Sequence, residues 1–329
     1  VTCKSWWFGA GIIFMSAFIG VHVCRAQSFV RYTLDSWTED DLAETFDHPI
    51  IELGGHVTNA PSDTQVFSWD SFGRVRFNRH DANSPFAAYR ILTIDSGLDS
   101  GVIKSTMDEF DLALGLHLGE VRGWKAGAIF GAGYSSTHPF VHTSGIFGIG
   151  HVTFERPIGA IDSLVLSLDY EGNGGLLPDV PLPGFAWMHH GAKVDSMLGF
   201  PMSHVVWRVT DPLEITLQYT VPFTADVDVE YRLARHVGLY ADAGNFFQGF
   251  VVAPSAGAGA GDITNRQFYQ MRRVEMGMRL IFGKLVDASV GVGYAFDQQF
   301  SRGLDVRDLR SVGQLSNEPY LAVVLRGRF

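Results

Sequence analysis

The sequence predicts an all-β chain, folded as a transmembrane antiparallel up-and-down β-barrel of about 12 to 14 strands with a short helix ahead of it. Three observations predict it. Apolar and small or polar residues alternate in segments roughly ten residues long, aromatics sit at the segment ends, and the connections are short and long by turns.

The alternation recurs from Phe110 onward. Between Gly123 and Ser135, Trp124, Ala126, Ala128, Phe130, Ala132 and Tyr134 oppose Lys125, Gly127, Ile129, Gly131, Gly133 and Ser135. Phe110, Leu112, Leu114, Leu116 and Leu118 oppose Asp111, Gly115 and His117; Leu164, Leu166, Leu168 and Tyr170 oppose Ser163, Val165, Ser167 and Asp169. Val274, Met276, Met278, Leu280 and Phe282 oppose Arg273, Glu275, Gly277 and Arg279, and Val286 to Phe296 follows the same rule against Asp287 to Asp297. Successive strand residues point to opposite faces, so each segment has one apolar face and one small or charged face. A soluble secreted β-sandwich would alternate too. The segment length, the terminal aromatics and the Gly, Ser and Ala among the charges favour lipid outside and a confined polar interior.

Strands are expected at 50–58, 72–79, 86–94, 108–118, 123–134, 145–155, 161–171, 203–209, 213–220, 224–233, 236–247, 270–282, 285–297 and 319–329. The stretches EVRG, TDPL, LARHV and GKL read as short turns at one end. GNGGLLPDVPLPGF, the region around APSAGAGAGD and SRGLDVRDLRSVGQLSNE read as long loops at the other, the first of them able to fold inward. VPFT, at Val221 to Thr224, is short where a loop should be long. An open sheet edge in lipid would leave backbone groups unsatisfied, so the sheet must close.

Residues 1–26 read as a signal peptide: Lys4, an apolar run from Trp6 to Val23, and Ala26 at the cleavage point. Residues 27–48 form an N-terminal segment in which Ser36 and Glu39 have capping-box spacing for a short helix, and 49–329 is the barrel. Both cysteines, Cys3 and Cys24, fall in the leader, which excludes thiol catalysis, cysteine metal sites and disulfides from the rest. The net charge of −10 argues against nucleic-acid partners, and no cofactor motif is present. SAGAGAGD lacks the Gly-Lys-Ser/Thr of a phosphate loop.

The ending YLAVVLRGRF places Leu321, Val323, Leu325 and Phe329 on alternate positions. It resembles the terminal signal by which bacterial outer-membrane barrels are recognised for assembly, although Gly327 stands where that pattern usually has a larger residue. The stretches DPLEITLQYTVPFTADVDVEYRLARHVGLYADAGNFF, RRVEMGMRL, GVGYAFDQQFSRG and EPYLAVVLRGRF resemble a family of outer-membrane barrels of unassigned function. The resemblance implies outer-membrane lipid and the barrel-assembly machinery as partners. It implies no catalytic residue and sets no oligomeric state.

The candidate interior residues are Asp111, His117, Asp169, Glu214, Asp226, Asp228, Glu230, Arg232, Arg273, Glu275, Arg279, Asp287, Arg326 and Arg328. Such charges either line a water-filled path or pair across strands and fill the barrel. Passive, porin-like passage of small solutes or a structural role is the expected function. Its rival is lipid modification: His142 and Ser144 share a strand face and resemble the His-x-Ser pair of lipid A deacylases. His189 and His190 are adjacent, so on a strand they would face opposite ways and could not chelate one metal; loop polarity is the expected reason for them.

Overall fold

The computed structural model describes residues 50–58, 66–78, 83–98, 103–138, 140, 143–221, 224–252, 266–283 and 286–328. The expected leader, capped helix, His142 and Phe329 lie outside these residues. The strands are β1 (Ile50–Thr58), β2 (Phe67–Arg76), β3 (Phe86–Asp95), β4 (Thr106–Val121), β5 (Trp124–Ser136), β6 (Ile146–Pro157), β7 (Asp162–Glu171), β8 (Leu182–His190) and β9 (Val194–Phe200). They continue as β10 (Met202–Thr210), β11 (Leu213–Thr220), β12 (Thr224–Ala234), β13 (Val237–Val251), β14 (Arg266–Phe282), β15 (Val286–Gly303), β16 (Arg310–Gln314) and β17 (Glu318–Arg328).

From β1 to β16 each strand pairs antiparallel with its sequence neighbours, and β1 pairs with both β2 and β17, so the sheet closes. β16 and β17 pair with successive lengths of β15 and act as one interrupted strand, which makes a ring of sixteen. All the expected strands are present. The count exceeds the expected 12 to 14 because the hairpin of β8 and β9 occupies residues read as loop. Phe185 and Trp187 face out while Ala186 and Met188 are buried inside, so β8 is apolar on both faces and shows no period of two, and Pro183 reads locally as loop.

Elsewhere the alternation maps onto the two faces as expected. Outward residues such as Met276 (66% exposed), Val292 (60%) and Val323 (48%) form an apolar belt. Exposed aromatics flank it: Phe154, Trp207, Tyr231 and Phe282 near the short-turn end, and Phe67, Phe185, Tyr219 and Tyr294 near the long-loop end. This is the pattern that bilayer interfaces select. The two-residue turn Arg122-Gly123 between β4 and β5 has φ of 53° and 77°, the mirror-image geometry that matches strand twist. The short connection at Val221 does lie at the long-loop end, as does Pro201, which alone joins β9 to β10.

In β15 the phase changes once. Asp297 has φ 50°, and the register with β14 shifts between Gln270 and Arg272. Below this bulge Val292 and Tyr294 face out; above it Gln298 and Phe300 are 1% and 0% exposed. One extra residue inverts the faces of a strand.

The interior is filled, not hollow, towards the long-loop end. From Asn245 to Val251, β13 is buried on both faces. Here β13 and β14 cross the interior as a partition: Val251 pairs in parallel with Ser136 of β5, and the Thr137 N–H donates to the Val251 carbonyl at 3.0 Å. Phe246, Phe250, Tyr269 and Phe300 pack against Leu92, Ile94 and Met107 on one side of it. A second apolar cluster, with Phe72, Phe86, Ala113, Ile129 and Phe147, covers the inner face of β2 to β6.

Inner-face glycines, read from sequence as small lumen-lining residues, are seats for aromatics. A side chain at Gly277 or Gly291 would run into Tyr240, one at Gly293 into Tyr320, and one at Gly115 into Phe86.

Candidate functional site

Two polar constellations occupy the interior. The first is the wall of β11 to β14. Register puts Asp228 opposite Asp242 and Asp242 opposite Glu275, three carboxylates in one transverse row. Like charges so placed repel, and their neighbours offset this. Arg273 Nε lies 3.0 Å from Asp242 Oδ1. Glu275 accepts hydrogen bonds from the Tyr240 hydroxyl (2.6 Å) and the Tyr320 hydroxyl (2.7 Å). Arg279 pairs with Glu230, although β13 lies between their strands. Gly238 permits this, since a Cβ there would come within 3.2 Å of Glu230 Oε1. Along the same wall Arg208 bonds Asp195 at 2.5 Å and approaches Glu214 at 3.6 Å.

The second constellation is a buried knot near the long-loop end. Arg90 Nη1 donates to Glu109 Oε1 at 2.8 Å, both side chains fully buried. Glu109 Oε2 also accepts from Asn173 Nδ2 (2.6 Å) and Gln248 Nε2 (2.7 Å). Arg266 donates to the Asn173 side-chain oxygen and carbonyl (2.7 Å each) and to the carbonyls of Gly174 and Leu304 (3.0 Å each). Asn173 belongs to the β7–β8 connection, so that connection is folded into the barrel. It is held further by Leu177 N–H to Asp305 (3.1 Å) and Val306 N–H to the Gly175 carbonyl (3.1 Å).

The structure brings Asp226, Asp228, Glu230, Arg273, Glu275 and Arg279 together on the β12–β14 wall, with Glu214 beside them on β11. Asp111 lies buried near Glu109, and Asp169 bonds the buried His151. Asp287 stands opposite Arg326 in register. His117 Nδ1 accepts from the Gly119 N–H at 3.2 Å, a local contact, and Arg232 is exposed at the short-turn end. Arg328 closes β17 opposite Ile50; its side chain lies outside the described residues. Sequence reasoning passed over Glu109, whose parity matches Asp111, and Asp242, whose parity matches the buried Tyr240. Arg90, Asn173, Gln248 and Arg266 gave no local signal. His189 and His190 lie on β8, not in a loop, and reach different partners, Asp162 at 2.9 Å and Asp195 at 3.9 Å. Ser144 sits in a single 3-10 turn, Thr143–Gly145, ahead of β6.

No protein-family model matches the chain, and no curated protein does. Among solved structures it is similar to a mutant of the TodX monoaromatic hydrocarbon channel (8% identity, TM-score 0.39, 94% of this chain and 96% of that one). It is also similar to a bacterial polysaccharide outer membrane secretin (10%, 0.36, 87% and 100%). A third is an outer membrane channel from Pseudomonas putida F1 (10%, 0.34, 86% and 95%). At these scores the likenesses carry no argument about what this chain does.

Proposed function

We propose that the protein resides in a bacterial outer membrane, is inserted there by the barrel-assembly machinery, and passes small solutes passively, with the inward-folded β7–β8 connection as its constriction. The observation that carries this reading is the wall of acidic and basic side chains on β11 to β14 inside an apolar exterior. A barrel needing only to be stable would be served as well by apolar packing, because buried ion pairs are weak stabilisers. Charged side chains along the inner wall instead bias which solutes enter.

Membrane fractionation with heat-modifiable gel migration tests location, and planar-bilayer recording tests passage. Salt-dependent conductance steps are expected, with ion selectivity shifted in opposite senses by Asp228→Asn and Arg279→Gln. A folded, inserted barrel that gives no conductance overturns the proposal.

A further inference from the structure

We infer that the β7–β8 connection is a lid over Asp111, and that it opens for a compact cationic group, an ammonium or guanidinium carried by a small solute. This deepens the reading of the interior as a solute path and names a class of solute for it.

Asp111 is 4% exposed, and the side chain in hydrogen-bond reach of its carboxyl group is another acid, Glu109. Its charged neighbours are Glu109, Glu171 and Arg90, and Arg90 already bonds Glu109. Two acids in contact with no cation between them repel, so the closed arrangement holds a pair that any accessible cation would stabilise. His151 Nε2 is an orphaned buried atom on the same inner wall.

Phe147 links Asp111 to the lid. At one end its Cβ packs where a side chain on Gly172 would be, at 2.8 Å; at the other its ring and the Asp111 carboxylate share the space a side chain on Gly133 would take. Lifting residue 172 therefore frees Phe147, and with it Asp111. The lid is fastened by polar bonds, chiefly those of Asn173, and two of its residues, Leu177 and Asp179, hold left-handed φ angles of 48° and 61° that side chains disfavour. A ligand that binds only the open form must shift the equilibrium towards it.

The chemistry favours an organic cation. One carboxylate beside an aromatic ring suits an ammonium or guanidinium, through charge-assisted hydrogen bonds and the ring face. A calcium ion takes six or more oxygens, and no group of three His, Cys, Asp or Glu residues suited to a metal exists among the described residues.

The test uses the purified, folded barrel in detergent with butylammonium as probe and butanol as neutral control, binding being read by calorimetry. Heat-modifiable migration verifies that each variant is folded. Butylammonium binds the wild type and butanol does not; Asp111→Asn weakens binding roughly tenfold or more. Gly133→Ala, which fills the seat of Phe147 and Asp111 while keeping the carboxylate, does the same. A Gly175→Cys, Val306→Cys pair locks the lid when oxidised and abolishes binding, which reduction restores. Binding that survives Asp111→Asn or the oxidised lock overturns the inference. So does a wild type that binds no probe, as expected if Asp111 and Glu109 merely share a proton. Binding is read without conductance: a barrel that binds but does not conduct defeats only the proposed function, and one that conducts without binding defeats only the lid.

Discussion

Replacing Asn173 by alanine should release the folded-in connection without unfolding the barrel. The side chain makes three hydrogen bonds: to Glu109 at 2.6 Å, to the Gly249 carbonyl at 3.0 Å, and from Arg266 at 2.7 Å. Taken singly, the neutral bond is worth about 1 kcal/mol and each charged one about 1.5–3. The simple sum is too large, because the groups left behind keep partners. Glu109 retains Arg90 and Gln248, and Arg266 retains the carbonyls of residues 173 and 174 and of Leu304. A loss of about 2–3 kcal/mol remains, which favours the open form by a factor of roughly 30 to 150. Hydrogen exchange of the backbone from Gly174 to Val180 should accelerate by that factor, while exchange in β13 and β14 below the partition stays unchanged. Single-channel conductance should rise in parallel. Wild-type exchange rates in the variant would refute the view that Asn173 fastens the connection.

Two further outcomes are expected. Gly293→Val drives a side chain into the Tyr320 ring and breaks its bond to Glu275; the temperature of heat-modifiable migration should fall, reflecting about 1–3 kcal/mol of overpacking, whereas Val292→Ile on the lipid face should leave it unchanged. At Asp305, burial pushes the carboxyl up, but hydrogen bonds from Arg307 and the Leu177 N–H outweigh it, and the group sits below its ordinary value of 3.8. Its grip on the lid is therefore complete above about pH 5 and is lost as pH falls below about 4; proteolysis of the lid should show that dependence, and Asp305→Asn should remove it.

The belt-level barrel was legible because lipid imposes one rule on every strand there: apolar outside, small or charged inside. Leu112, Met276 and Val292 advertise that rule to any reader of alternate residues. It fails where both faces of a strand meet apolar surroundings, lipid and core in β8 and protein on either side in residues 245–251, because that removes the contrast that makes a period visible. The knot around Glu109 was hidden for another reason. Its partners Asn173 and Gln248 lie 64 and 139 positions away, so nothing near Glu109 in the chain marks it. The bond between Glu230 and Arg279 passes over Gly238, where a Cβ would crowd Glu230 Oε1 at 3.2 Å, and absence is a weak signal among 37 glycines. Alternation placed the charges on the inner face; which of them met was decided by strand register and by the gaps glycine leaves.

The bulge at Asp297 makes β15 a strand written in two reading frames. Its lower half answers to lipid and its upper half to a protein core, and one supernumerary residue joins the two without a loop. Removing Asp297 would not act as a local trim. It would shift the frame of everything beyond, turning Gln298 and Phe300 outward together and leaving Tyr269 without the ring it packs against at 5.2 Å. By contrast, substituting Asp297 keeps the frame, so the position tolerates a change of letter far better than the loss of one.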